Sequence, residues 1–301
     1  MSDGWRPPVL GLRARGNPCG VTVLAWQAPL VMGVVNVTPD SFSDGGRLGS
    51  VEAAVAHGLA LRAAGAHVLD VGGEATNWRA QPVTAEVEAA RVLPVIEALA
   101  ARTDALISID TTKAAVARAA IAAGADIIND VSGGLFDPAI LGVADDAGVA
   151  YVCGHLRGRS IAEVFSAEAG RTTITWHEVA DELAARLAAM PVSLRGRTIV
   201  DPGLGFGKGG DPAANLGLLA HAGDLARALD RPVLVGPSRK RFLARLVGPV
   251  LGGPPDQAAL DAATVGASLA SLAAGAHIVR VHDVASLTAA LATYTAVTLA
   301  P

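Results

Sequence analysis

Three segments of the chain read almost alike: AAGAHVLDVGG (63–73), AAGADIINDVSGG (122–134) and AAGAHIVRVHD (273–283), with a looser copy, DAGVAYVCGH (146–155). Each runs from an alanine-rich helical stretch through a glycine into a short β-branched run that ends in polar residues. The glycines Gly65, Gly124, Gly148 and Gly275 fit the left-handed position just past a helix end. A unit that recurs in this way signals a repeat architecture, and strands alternating with helices signal a parallel sheet. Candidate strands fall at 30–36, 67–73, 105–110, 126–131, 149–155, 198–202, 232–237 and 277–282. Most are near-continuous apolar runs, as strands buried on both faces should be.

Eight strand–helix units in 301 residues point to an α/β (β/α)₈ TIM barrel, a fold that needs about 250. A doubly wound open sheet is the alternative. Residues 1–29 hold short β-like pieces, expected to form an N-terminal hairpin under the barrel of residues 30–301, and no linker divides the chain. The longest interstrand stretch, Leu156 to Arg197, reads as an irregular half followed by a helix around Trp176–Met190.

Composition narrows the function. A net charge of −4 gives no electrostatic footprint for nucleic acid. The two cysteines, Cys19 and Cys153, are far apart and suggest a reducing compartment. No apolar run approaches about 20 residues, and no signal peptide is evident. A cytoplasmic protein that binds neither membrane nor nucleic acid is expected. Of 24 basic residues only Lys113, Lys208 and Lys240 are lysines, and two closely follow strand ends.

The carboxyl ends of the strands carry Asn36, Asp70 with Glu74, Asp110, Asn129 with Asp130, His155, Asp201, Ser238 with Lys240, and Arg280 with His282. In a barrel these ends meet on the face where active sites sit. Buried Asp and Asn side chains suit a planar heterocycle such as a pterin or purine. Arg280 and His282 alternate on one strand and, with Asn36, suit an anionic leaving group. Plainer roles stand beside these: Asp110 and Thr111 as a cap for the helix of 113–123, Asn129 as a bond between strands, and His155 as a structural histidine. Glu86, Glu88 and Arg91 read as a solvated helix face. GFGKGG (205–210) has neither the context of a dinucleotide fingerprint nor Walker spacing. No nucleophile elbow or zinc motif is present.

Taken in order, MGVVNVTPDSFSDGG, LDVGGEAT, SIDTTKAAVA, GADIINDVSGG, DPGLGFGK, LVGPSRKRFL and GAHIVRVHDV resemble the blocks of the dihydropteroate synthases, over about residues 30 to 285. The resemblance implies that a 6-hydroxymethyl-dihydropterin diphosphate condenses with 4-aminobenzoate to give dihydropteroate and pyrophosphate. It implies that Asp110, Asn129, Asp201 and Lys240 hold the pterin, and that Asn36 binds Mg²⁺. Arg280 and His282 would grip the diphosphate, while Thr76, Phe206 and Lys240 would border the aminobenzoate. Asp40, Asp110, Lys240 and Arg280 are the expected catalytic residues, with the loop NVTPDSFSDGG closing as a lid. A homodimer through the last helices is also implied.

The chain departs from the family pattern in two places. GEATNWRA stands where Gly-Glu-Ser-Thr-Arg-Pro-Gly is usual, so Asn77, Trp78 and Arg79 change the second loop, and altered sulfonamide sensitivity is expected. VCGHLRG puts Gly154 and Leu156 where methionines commonly flank the histidine. A pterin-binding paralogue or pterin-presenting module without synthase activity therefore stays open as the alternative.

Overall fold

The computed structural model describes residues 7–15, 17–24, 28–37, 51–75, 81–166, 174–208, 212–298 and 300. A hairpin of β1 (Leu10–Ala14) and β2 (Asn17–Leu24) comes first. Then β3 (Leu30–Asn36), α1 (Val51–Ala63), β4 (Val68–Gly72), α2 (Ala85–Arg102), β5 (Leu106–Asp110) and α3 (Ala114–Ala122) alternate. The pattern continues through β6 (Ile127–Asp130), α4 (Ala139–Ala147), β7 (Ala150–Gly154), α5 (Ile161–Ser166), α6 (Trp176–Ala189), α7 (Val192–Arg195) and β8 (Thr198–Asp201). It ends with α8 (Pro212–Ala220), α9 (Ala222–Leu229), β9 (Leu234–Val235), α10 (Arg241–Leu251), α11 (Gln257–Ala273), β10 (Ile278–Val281) and α12 (Val284–Thr298).

The eight strands from β3 onward form one parallel sheet in the order β8-β7-β6-β5-β4-β3-β10-β9. A parallel bridge between Val200 and Val233 joins its two ends, so the sheet curls into a barrel. Every expected strand is present, although β9 is only two residues long. Between Leu156 and Arg197 the helix expected around Trp176–Met190 forms as α6, and two short helices that were not expected, α5 and α7, flank it. The repeat glycines sit after their helices with φ of 109° at Gly65, 114° at Gly124, 67° at Gly148 and 102° at Gly275, conformations open to glycine at little cost.

Strand alternation sorts the core into two shells. Val31, Val35, Leu69, Val71, Ile107, Ile109 and Ile128 face outward and pack under the helices. Met32, Val68, Ile127, Ala150, Val152, Ile199, Leu234 and Ile278 face inward and fill the barrel, joined from below by Leu10 and Leu12 of the hairpin. Arg15 fixes that floor: it pairs with Asp126 and donates to the carbonyls of Ala100, Thr103 and Ala105 at 3.3, 3.3 and 2.8 Å. On the outside, α6 begins with a reciprocal cap between Thr175 and Glu178 and buries Val179, Leu183 and Leu187.

Candidate active site

Above the apolar inner layer, the same alternation turns Asp70, Ser108, Asp110, Asn129, Asp201 and Arg280 toward one cavity. Arg280 donates from Nε to Asp70 Oδ2 at 2.6 Å and from Nη2 to Asp110 Oδ2 at 2.8 Å. Asn129 Nδ2 donates to the same Asp70 oxygen at 3.0 Å. A carboxylate only accepts, so this bond orients the Asn129 amide and leaves its oxygen as the acceptor for another group. Asp70 Oδ1 and Ser108 Oγ, on residues paired in register, are buried with no hydrogen-bond partner among the described residues.

Burial pushes the Asp110 carboxyl up to about 7, against the pull of Arg280 and with a push from Asp70. Asp201 is raised for the same reason and opposed by Lys240; its Oδ1 accepts from Gly203 N at 2.8 Å. Lys240 is lowered to about 8 by burial, with Asp201 holding it back. The Lys240 ammonium donates to the Leu204 carbonyl and stands 4.7 Å from the centroid of the Phe206 ring. His282 Nδ1 lies 2.8 Å from Ser238 Oγ, which also accepts from His282 N at 3.2 Å. Burial, then the charges of Arg280 and Arg239, bring that imidazole down to about 3, so it is neutral. Asn36 ends β3 opposite Gly72, which in turn faces Asp110. A Cβ on Gly72 would lie 3.7 Å from both Asn36 Oδ1 and Asp110 Oδ2, so the glycine lets these two side chains share one space.

The structure thus gathers Asn36, Asp110, Asn129, Asp201, Phe206, Lys240, Arg280 and His282 at one end of the barrel. Asp40 and Thr76 lie outside the described residues, as do the lid residues 38–46 and Asn77, Trp78 and Arg79. Several plainer readings are resolved. The cap of α3 is made by Thr111 Oγ1, which accepts from Lys113 N, and by Asp137 Oδ2, which accepts from Ala114 N; Asp110 takes no part. Asp130 turns outward to Tyr151, Ser132 and Gly134. His155 is fully buried between Lys208 and Glu182.

The solvated reading of the second helix needs correction. Glu86 is exposed, but Glu88 is fully buried with Oε2 accepting from Lys113 Nζ at 2.6 Å, and Arg91 donates to Gly73 O at 2.8 Å. Its signal was available, since Glu88 lies on the same helical stripe as Val92, Val95, Ile96 and Leu99. Phe165 was also missed. Its ring centroid is 5.9 Å from that of Phe206, and α5 offers too short a pattern to place it.

Residues 32–282 match the family described as pterin binding enzyme. The chain belongs to the pterin-binding enzyme family. The dihydropteroate synthase of Mycobacterium leprae is 46% identical over 258 residues, covering 84% of this chain and 88% of that protein. Dihydropteroate synthase of Xanthomonas albilineans, solved with 4-aminobenzoic acid, superposes with a TM-score of 0.83 at 42% identity, covering 98% of this chain and 100% of that one. The same enzyme solved with 7,8-dihydropteroate gives 0.78 at 42% identity, covering 93% and 97%.

Within the pterin-binding family pattern, the glycine at 154 now has a cause. A Cβ there would lie 2.6 Å from the Val131 backbone, so the β6–α4 turn leaves no room for a methionine. Leu156 is fully buried. For the implied Mg²⁺, the donor set is small: among the described residues no group of three or more His, Cys, Asp or Glu gathers. One amide oxygen of Asn36 beside Asp110 fits a cation that keeps waters and takes its other oxygens from a diphosphate.

Proposed function

We propose that the chain is a dihydropteroate synthase. It would join 6-hydroxymethyl-7,8-dihydropterin diphosphate to 4-aminobenzoate, giving dihydropteroate and pyrophosphate in folate biosynthesis. The observation that carries this reading is the buried network of Asp70, Asp110, Asn129 and Arg280 beside Asp201 and Lys240. A flat ring with alternating donors and acceptors matches those groups, and Arg280 can offer the rest of its guanidinium edge to a phosphate.

In this reading Asp110, Asn129, Asp201 and Lys240 hold the pterin, and Arg280 and His282 hold the diphosphate. The C–O bond breaks with its electron pair leaving on the diphosphate, and the pterin methylene carries positive charge. Asp110 and Asp201, with Asp40 on its loop, stabilise that charge. The arylamine nitrogen then forms the C–N bond and releases its proton to solvent. Thr76 and Phe206 border the aminobenzoate. Asn36 would hold Mg²⁺, which when bound neutralises charge on the departing diphosphate.

A homodimer belongs to the same proposal. An apolar groove of about 670 Å³ between α8, α10 and α11 is lined by Leu216, Leu243, Leu246, Val247 and Ala267, and supports pairing with a second copy. The reaction is placed in the cytoplasm as part of the same proposal; among the described residues no helix is long and apolar enough to cross a membrane.

Pyrophosphate release tests the proposal. Turnover should require both substrates and yield one dihydropteroate for each pyrophosphate. Pterin binding without turnover would favour a pterin-presenting module instead. Chelation by EDTA should abolish turnover, and added Mg²⁺ should restore it.

A further inference from the structure

The turn after β8 holds a lysine that the reaction does not use. Lys208 is only 2% exposed, among the largest fully buried side chains. Its Nζ lies 2.8 Å from His155 Nδ1, 3.2 Å from His155 O and 3.1 Å from Phe206 O. Three acceptors therefore surround an ammonium that has three N–H groups. With Nδ1 accepting, the His155 proton sits on Nε2 and is donated to Glu182 Oε2 at 3.0 Å; Arg157 Nε donates to the same carboxylate at 2.8 Å. Burial of Lys208 lowers its pKa to about 7, a desolvation that only a well-made cage offsets.

The cage grips a tight, glycine-rich turn. Gly203, Gly205 and Gly207 adopt φ of 70°, 77° and 65°. A Cβ at Gly203 would lie 1.8 Å from the His155 carbonyl oxygen, so the turn is pressed against the end of β7. Lys240 takes the carbonyl of Leu204 and Lys208 takes that of Phe206. The Phe206 ring is thereby presented between the Lys240 ammonium and Phe165.

We propose that Lys208, locked by His155 and Glu182, is a positioning residue that sets the Phe206 wall of the aminobenzoate pocket. The inference rests on the synthase reading. The pterin-facing groups Asp110 and Asn129 stand on strands that Lys208 does not touch, and Asp201, whose charge Lys208 helps to balance, is also held by Gly203 N and by the nearby Lys240, so the larger part of its loss should fall on the aminobenzoate.

Steady-state kinetics with both substrates test it, using Lys208→Met, Phe206→Ala and the double variant. Lys208→Met should raise the KM for aminobenzoate about tenfold, with the KM for the pterin diphosphate and kcat within about twofold. In the Phe206→Ala background it should add nothing, because it acts through that ring. Should Lys208→Met not fold, Lys208→Gln, which keeps a shorter donor, is read the same way. Equal rises in both KM values, additive effects in the double variant, or no change would overturn the inference. A wild-type protein that turns over while the variants behave so loses this inference alone. A wild-type protein without turnover overturns the synthase reading and this inference together.

Discussion

Arg280 reaches two buried carboxylates with one planar group, and their balance sets the pH behaviour of the site. Asp110 is held up at about 7 and Lys240 is brought down to about 8. If the carboxylate and the ammonium are the working forms, kcat/KM should climb as pH rises through about 7 and fall beyond about 8. The ascending limb should vanish in Asp110→Asn, read from a pH–rate profile. Stability runs the other way for this residue. A folded pKa above the ordinary 3.8 means that the folded state binds the proton more tightly. That contribution is complete below 3.8 and is lost as pH rises through about 7. Replacing Arg280 by Met leaves Asp70 and Asp110 without their cation. Urea unfolding should register a cost of about 3–5 kcal/mol, smaller at acid pH, where Asp110 is protonated.

Elements differ in how much of this was readable. In the strands the inward polar residues stood out because they interrupt apolar runs at a spacing of two, so Asp70, Asp110, Asn129, Asp201 and Arg280 were legible together. The partners were not. Nothing in the chain announces that Arg280 chooses Asp70 as well as Asp110, or that His155 meets Lys208 across 53 residues, since such pairings arise only when the barrel curls. The helix α2 hid a readable signal, because three charged residues near one another obscured the stripe that contains Glu88. That element carries its own prediction. Lys113 bridges Glu74 and the buried Glu88, so Lys113→Met should destabilise the protein by about 3 kcal/mol in urea unfolding. The pair Lys113→Met with Glu88→Leu should recover most of that loss, because the fully buried Glu88 is then no longer an unpaired charge, while the partly exposed Glu74 keeps the bond from Val83 N at 3.1 Å.

At the scale of the whole molecule, the barrel is sealed at one end by the hairpin and open for chemistry at the other. Leu12 is buried inside the floor, and Leu12→Ala should cost about 2–5 kcal/mol, measured by thermal or urea unfolding, while leaving both KM values near wild type. On the outer face, Leu246→Glu should convert the proposed dimer to a monomer in sedimentation velocity, because it sets a charge in the apolar groove. The remaining asymmetry lies in the ring itself. Between β8 and β9 the join amounts to the Val200–Val233 bridge and the bond from Val200 N to Pro232 O at 2.9 Å. Asp201 hangs on one side of this clasp and the Ser238–Lys240 turn on the other. Amide exchange should therefore be faster at Val200 than at Ile109, and a bound pterin that spans Asp201 and Lys240 should slow it, fastening from inside a seam that the backbone leaves thin.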